Sequence, residues 1–416
     1  MLNQLFKYPR VLNRYLTSPL LDMRLEYLRH CAEQGFSQIS LQLIAYYQLI
    51  ITDYLNLQTA RTITLSEIEA AADRWAQHPV LYHRANVTFS PSARDRFIKN
   101  ATNWLRFLGL LQEPPSPPRP FKLMMDEFAD FMLHEKGLSE KTIIFRRRMV
   151  ERFLNQILGP DQALAQLTIG QIDEVFLKRS DQGSYARCSV HTLASSLRAF
   201  LRYAASRGWC QSDLAEAIKA PRVFRHETLP CSPTWEEVQR LIDSTGGQSP
   251  ADVRERAVLL LLAHYGLRAG EVCALRLEDL DWGQEIIRLR RKKSGRPQQF
   301  PLTQAVGEAI LRYLKEVRPR VDRREVFLTL RAPLRPLTSE TIYRFMTRRW
   351  KLLGIADYGP HSLRHACATR LINQGVSLKE IGDQLGHRDL DTTRIYAKVD
   401  LTGLRTVADF DLGGLL

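Results

Sequence analysis

A break in the chain constrains its fold more than any other feature. Residues 112–120 read Gln-Glu-Pro-Pro-Ser-Pro-Pro-Arg-Pro. Proline has no amide hydrogen to give to a helix or sheet ladder, and its φ is locked, so no regular element crosses this stretch. It reads as a stiff, extended linker. A second loose stretch, 220–233, carries Pro221, Pro230 and Pro233 and shows no apolar periodicity. The 416 residues are thereby cut into about 1–112, 119–220 and 231–416, each of ordinary domain size. With 44% hydrophobic residues, the pieces can bury cores of their own.

The first two pieces look like copies. Leu25-Glu-Tyr-Leu followed by Gln34-Gly-Phe-Ser37 is echoed by Phe128-Ala-Asp-Phe followed by Lys136-Gly-Leu-Ser139. Ile63-Thr-Leu-Ser-Glu-Ile68 is echoed by Leu167-Thr-Ile-Gly-Gln-Ile172, and Trp104-Leu-Arg-Phe107 by Phe200-Leu-Arg-Tyr203. Each unit reads as helices of 3.6-residue period, with Gly-x-Ser stops and caps between them. Two unrelated helical bundles are the competing reading. The third piece is mixed. An apolar helix is expected over 257–275, and a hairpin over 285–291 and 298–302 around Lys-Ser-Gly-Arg-Pro. Helices follow, with a capping box at Ser377-Leu-Lys-Glu380 and stops at Gly375 and Gly386. The expected fold class is mainly α: two helical domains, then a mixed α/β domain with a small antiparallel sheet.

Charge narrows the class of partner. The net charge is +14, shared among all three pieces, and 46 Arg stand against 13 Lys. Such basicity points to an anionic partner, of which DNA is the commonest, and guanidinium forks suit phosphate. A GC-rich genome would also replace Lys by Arg everywhere. The longest apolar stretch, 257–267, is about half of a bilayer span and contains His264. The N-terminus lacks the layout of a secretory signal. Cysteines 31, 188, 210, 231, 273 and 367 show neither a Cys-x-x-Cys pair nor metal-ligand spacing. They read as reduced thiols of a cytoplasmic protein with no membrane contact.

The third piece carries the chemistry. In order it offers Gly266-Leu-Arg268-Ala-Gly-Glu271, Lys293-Ser-Gly295, His361-Ser-Leu-Arg364-His365, Leu385-Gly-His387 and Thr392-Thr-Arg-Ile-Tyr396. Two Arg, one Lys, two His and a Tyr could converge as a phosphoryl-transfer site that needs no metal or other cofactor. Paired guanidiniums can neutralise phosphodiester oxygens as charge develops. A tyrosine hydroxyl can attack, and Lys or His can move protons. Taken singly, each has a bland reading: Arg268 as a surface charge, His361 and His387 as polar residues near helix ends, Tyr396 as core.

Together and in this order they resemble the tyrosine recombinase family, the phage-integrase and Xer-type enzymes, whose pattern is Arg…Lys…His-x-x-Arg…His…Tyr. The resemblance covers about 121–400. It implies a helical core-binding domain followed by a catalytic domain of the DNA breaking-rejoining type. Tyr396 would be the nucleophile, leaving a 3′-phosphotyrosyl bond and a free 5′-hydroxyl. Arg268 and Arg364 would clamp the scissile phosphate, and Glu271 would orient Arg268. Lys293, on the hairpin and next to Lys292, would protonate the leaving 5′-oxygen. His361 would assist proton transfer at the nucleophile, and His387 would donate to a phosphate oxygen. Arg370 stands where relatives often carry His, a change expected to have no catalytic consequence.

The resemblance further implies double-stranded DNA with specific recombination sites as partner, a homo- or hetero-tetramer with sister recombinases, and a nucleoid-associated location. The tail 401–416, with Leu404, Val407 and Phe410 at helical spacing, resembles a segment that docks into a neighbouring subunit; folding back on its own domain is the other reading. Lys141, Arg146, Arg147, Arg148 and Arg202 are candidate phosphate contacts of the core-binding domain, against a solvated helix face. The length resembles recombinases borne by transposons and other mobile elements. The alternatives are a type IB topoisomerase-like relaxing enzyme and a catalytically idle DNA-binding accessory factor.

Overall fold

The computed structural model describes residues 1–77, 89–113, 120–158, 162–181, 186–223, 232–290, 297–387, 391–399 and 405. The chain forms two compact units, Met1–Glu113 with Thr228–Leu416, and Pro114–Glu227. The first and third pieces therefore share a unit. The backbone N–H of Leu334 donates to the Gln34 carbonyl at 3.0 Å, and the Leu334 side chain lies against Gly35.

The first piece is a helical bundle built on Leu21–Glu33, Gln38–Tyr54, Leu65–Ala76 and Pro91–Phe107. Ser37 Oγ accepts from the backbone N–H of Ser40, and Thr64 and Glu67 form a reciprocal capping box. These side chains satisfy amide donors that the first turn leaves without partners. Ile51, Ile68, Phe97 and Trp104 fill the core. A parallel ladder of two residues pairs Ile63–Thr64 with Leu111–Gln112. No strand was expected here, because a segment this short carries no period to read.

The second unit repeats the order of helices: Lys122–His134, Glu140–Ile157, Ile169–Asp181 and Arg187–Ser206. It also repeats the caps. Ser139 Oγ accepts from Thr142 N–H, as Ser37 does from Ser40. Thr168 and Gln171 exchange hydrogen bonds of 2.9 and 3.3 Å, as Thr64 and Glu67 do. Phe128, Val150, Phe153, Leu197 and Phe200 form its core.

In the third piece the helix expected over 257–275 is two helices, Pro250–His264 and Ala269–Ala274. Gly266 lies between them with φ +61°, a conformation that β-carbon sterics make costly for any other residue. Leu259, Leu261 and Leu262 of the longer helix are completely buried. Buried ion pairs tie it to Ser339–Leu353: Arg349 bonds Glu255 at 2.6 Å through Nε and Asp252 at 2.7 Å through Nη2. The sheet has three antiparallel strands, Leu280–Asp281, Ile286–Arg290 and Pro297–Pro301. Ile287 faces Phe300 across it, both buried against the core. Its turn, with Lys292 and Lys293, lies outside the described residues, as does the tail with Leu404, Val407 and Phe410. Among the described residues no helix is long and apolar enough to cross a membrane.

Candidate active site

The site is assembled around the helix Pro360–Asn373, whose sequence carries His361, Arg364 and His365. Gly359 caps the helix and Pro360 occupies its first position, where a missing N–H costs nothing. Arg364 is 1% exposed. Its Nη1 donates to the Gly266 carbonyl at 2.7 Å, and its Nη2 donates to the Leu385 carbonyl. One guanidinium thereby ties the glycine break before Arg268 to the helix end before His387. The break at Gly266 serves this approach, since a β-carbon there would lie 2.5 Å from Leu385 Cδ2.

Arg268 sits at the N-cap of Ala269–Ala274. Glu271 accepts from its backbone N–H at 2.9 Å and from its Nη1 at 2.8 Å. The carboxylate thus fixes both the backbone and the head group of Arg268. Its own side chain is 12% exposed against 35% for Arg268, so the pair presents its cation outward.

His387 follows Gly386, which ends the helix Leu378–Leu385 in the left-handed conformation. Its Nδ1 lies 2.8 Å from Thr393 Oγ1, which links it to the turn that bears Tyr396. Tyr396 is 1% exposed, packed among Ala368, Ile372, Ile381 and Leu385. Its Oη lies 2.8 Å from His365 Nδ1. Burial pushes the phenol up to about 12, with the Arg364 charge pulling the other way. His365 is driven down to about 4 by burial, then by the charges of His361 and Arg364. His361 is held below its ordinary value by desolvation, then by Arg364 and Arg268. The two histidine rings meet edge to face with centroids 4.8 Å apart.

The structure therefore gathers Arg268, Glu271, His361, Arg364, His387 and Tyr396, while Lys293 falls outside the described residues. Sequence reasoning overlooked His365. The available signal was its spacing from His361, four residues on and hence on the same helix face. Arg370, further along the same helix, stacks its guanidinium over the Trp235 ring at 3.9 Å. Among the described residues no group of three or more His, Cys, Asp or Glu could hold a metal ion.

The candidate phosphate contacts divide. On the helix Glu140–Ile157, Lys141 and Arg148 are exposed, and Arg146 is half-buried. Arg147 is committed inside the unit, bonded to Asp126 at 2.6 Å and Glu151 at 3.0 Å. Arg152, not singled out from the sequence, is exposed and shares the face of Lys141 and Arg148 at spacings of 11 and 4. Arg202 is exposed on Arg187–Ser206.

Comparison with known proteins places this geometry. Residues 234–402 match the phage integrase family, and residues 125–208 match the phage integrase N-terminal SAM-like domain. The chain is 31% identical over 375 residues to the putative integrase/recombinase y4rF of Sinorhizobium fredii, covering 88% of this chain and 81% of that protein. It is 31% identical over 304 residues to the tyrosine recombinase XerD of Mycobacterium tuberculosis, covering 68% of this chain and 96% of the relative. A lambda integrase dimer bound to a COC′ core site shares the fold, with TM-score 0.53 and 19% identity over 74% of this chain and 88% of that one. Fold and matches define a DNA breaking-and-rejoining enzyme. Within that class, the chain belongs to the phage integrase family, the tyrosine recombinases, and is a site-specific recombinase.

Proposed function

We propose that Tyr396 attacks a scissile phosphodiester of double-stranded DNA, forming a 3′-phosphotyrosyl bond and releasing a 5′-hydroxyl. Arg268, oriented by Glu271, and Arg364 hold the non-bridging oxygens and stabilise the charge that develops on them. His387 donates to one of these oxygens, His361 assists proton transfer beside the nucleophile, and Lys293 protonates the leaving 5′-oxygen. The phosphotyrosine conserves the energy of the cut bond, so a 5′-hydroxyl of another strand can reseal it without ATP. The observation that carries this reading is Arg364, which joins the Gly266 and Leu385 carbonyls and so brings the Arg268 and His387 segments beside Tyr396.

Residues 119–220 form the DNA clamp of the core-binding domain, with Lys141, Arg146, Arg148, Arg152 and Arg202 toward phosphate. Residues 231–416 form the catalytic domain. The matching helix order and caps support reading 1–112 as a duplicate of the core-binding fold. The working assembly is a tetramer on two specific sites, with copies of this chain or with sister recombinases. The enzyme acts on mobile-element DNA in the cytoplasm, at the nucleoid. The test is strand joining. Full-length protein captured on a pool of nicked duplexes with randomised sequence around the nick should transfer the held strand to a 5′-hydroxyl oligonucleotide added later. Relaxation of plasmids without any joining between two DNA molecules would favour the topoisomerase reading instead.

A further inference from the structure

The hydroxyl assigned as nucleophile lies within hydrogen-bond reach of the imidazole of His365. We propose that His365 Nδ1 takes the proton of Tyr396 as the phosphate is attacked and returns it on resealing. This rests on Tyr396 being the nucleophile.

The geometry has the reach of direct proton transfer, 2.8 Å between heavy atoms. With its own proton on Nε2, the neutral ring presents Nδ1 as acceptor to the only proton Tyr396 carries. His365 is already neutral and unloaded at ordinary pH, while the buried phenol stays protonated until something removes its proton. The ring cannot turn away easily, because it packs on His361 on one side and Tyr396 on the other, with centroids 4.8 and 5.6 Å away.

The charges around the ring give the step its timing. His361 and Arg364 oppose a further positive charge on the ring, and Arg268 opposes one on His361 beside it. Incoming phosphodiester brings one negative charge, and the pentavalent state adds another. These offset the guanidiniums and raise the affinity of His365 for a proton only when substrate is present. In the step itself, the Oη–P bond forms, the Oη–H proton passes to Nδ1, and the P–O5′ bond breaks with its electron pair on O5′. That oxygen takes its proton from Lys293. On resealing, each proton retraces its path. His361 assists this transfer by holding the base in place, ring against ring.

The test uses full-length protein and the same pool of nicked duplexes, read as the single-turnover rate of covalent capture. His365→Ala should slow capture by about 10²- to 10⁴-fold with DNA binding retained, and added imidazole should restore part of the loss. His365→Asn is the decisive variant, because its amide oxygen can accept from Tyr396 as Nδ1 does but cannot keep a proton. It should stay as slow as the alanine variant and gain nothing from imidazole. His365→Asn cleaving within a few-fold of the parent would overturn the proposal and leave His365 a positioning residue. Capture that fails in the parent protein, or persists in Tyr396→Phe, would instead overturn the assignment of the nucleophile.

Discussion

Replacing Gly266 by Ala is expected to damage stability and cleavage together. At φ +61° an alanine pays about 1–2 kcal/mol for β-carbon crowding against its own carbonyl. The added methyl also meets Leu385 Cδ2 at 2.5 Å. Leu385 cannot swing into solvent, since it is fully buried with Ala368, Ile372, Ile381 and Tyr396. Overpacking of this kind costs about 1–3 kcal/mol, so the total is about 2–5 kcal/mol. That is a large part of a typical domain stability of about 5–15 kcal/mol. The strain is relieved by moving either the Gly266 carbonyl or the Leu385 backbone, and both hold Arg364. Urea unfolding should show a lower midpoint at an unchanged slope, and covalent capture on nicked DNA should fall by tenfold or more even where the variant is folded. An unchanged midpoint with capture within twofold of the parent would refute the claim that the break at Gly266 is required by the approach of Arg364.

Arg268→Ala and Arg364→Ala should each slow capture by about 10²-fold or more, the scale of one lost preorganised charge donor, and EDTA should leave the parent rate unchanged. Glu271→Gln should slow capture less than Arg268→Ala while leaving DNA affinity within a few-fold, measured on the same nicked duplexes. Because His365 binds its proton less readily folded than unfolded, stability should be full above about pH 6.5 and fall as pH drops toward 4; thermal melts of His365→Asn should lose part of that slope. Arg148→Ala with Arg152→Ala should weaken DNA binding and flatten its salt dependence, whereas Arg147→Ala should act mainly on stability through Asp126 and Glu151, as read by titrations at several salt concentrations and by melts.

The sequence announces whatever is local. Proline runs mark the ends of the second unit, and Ser139, Thr168 and Ser377 announce helix starts because a cap is a contact over three residues. The order of Arg, His, Arg, His and Tyr was also legible, since motif order survives without knowledge of the fold. What depends on distant partners was not. An apolar run hid the break at Gly266, whose cause is Leu385 and Arg364 about a hundred residues later. Arg147 looked like its neighbours until the preceding helix supplied Asp126. His365 reads in the sequence as one more residue of a helix, because only folding sets the turn of Tyr396 against Pro360–Asn373. The packing of the first piece with the third crosses the whole core-binding domain in sequence, and no local pattern encodes it.

Everything proposed for the site depends on Tyr396 forming the covalent bond to DNA. The most direct measurement is mass spectrometry of the protease-digested adduct, captured by the full-length protein on nicked duplexes of randomised sequence. The digest should contain a nucleotide joined through its 3′-phosphate to the peptide containing Tyr396, and the released strand should carry a 5′-hydroxyl that accepts a kinase label without prior phosphatase treatment. An adduct on any other residue, or a 5′-phosphate link, would contradict it.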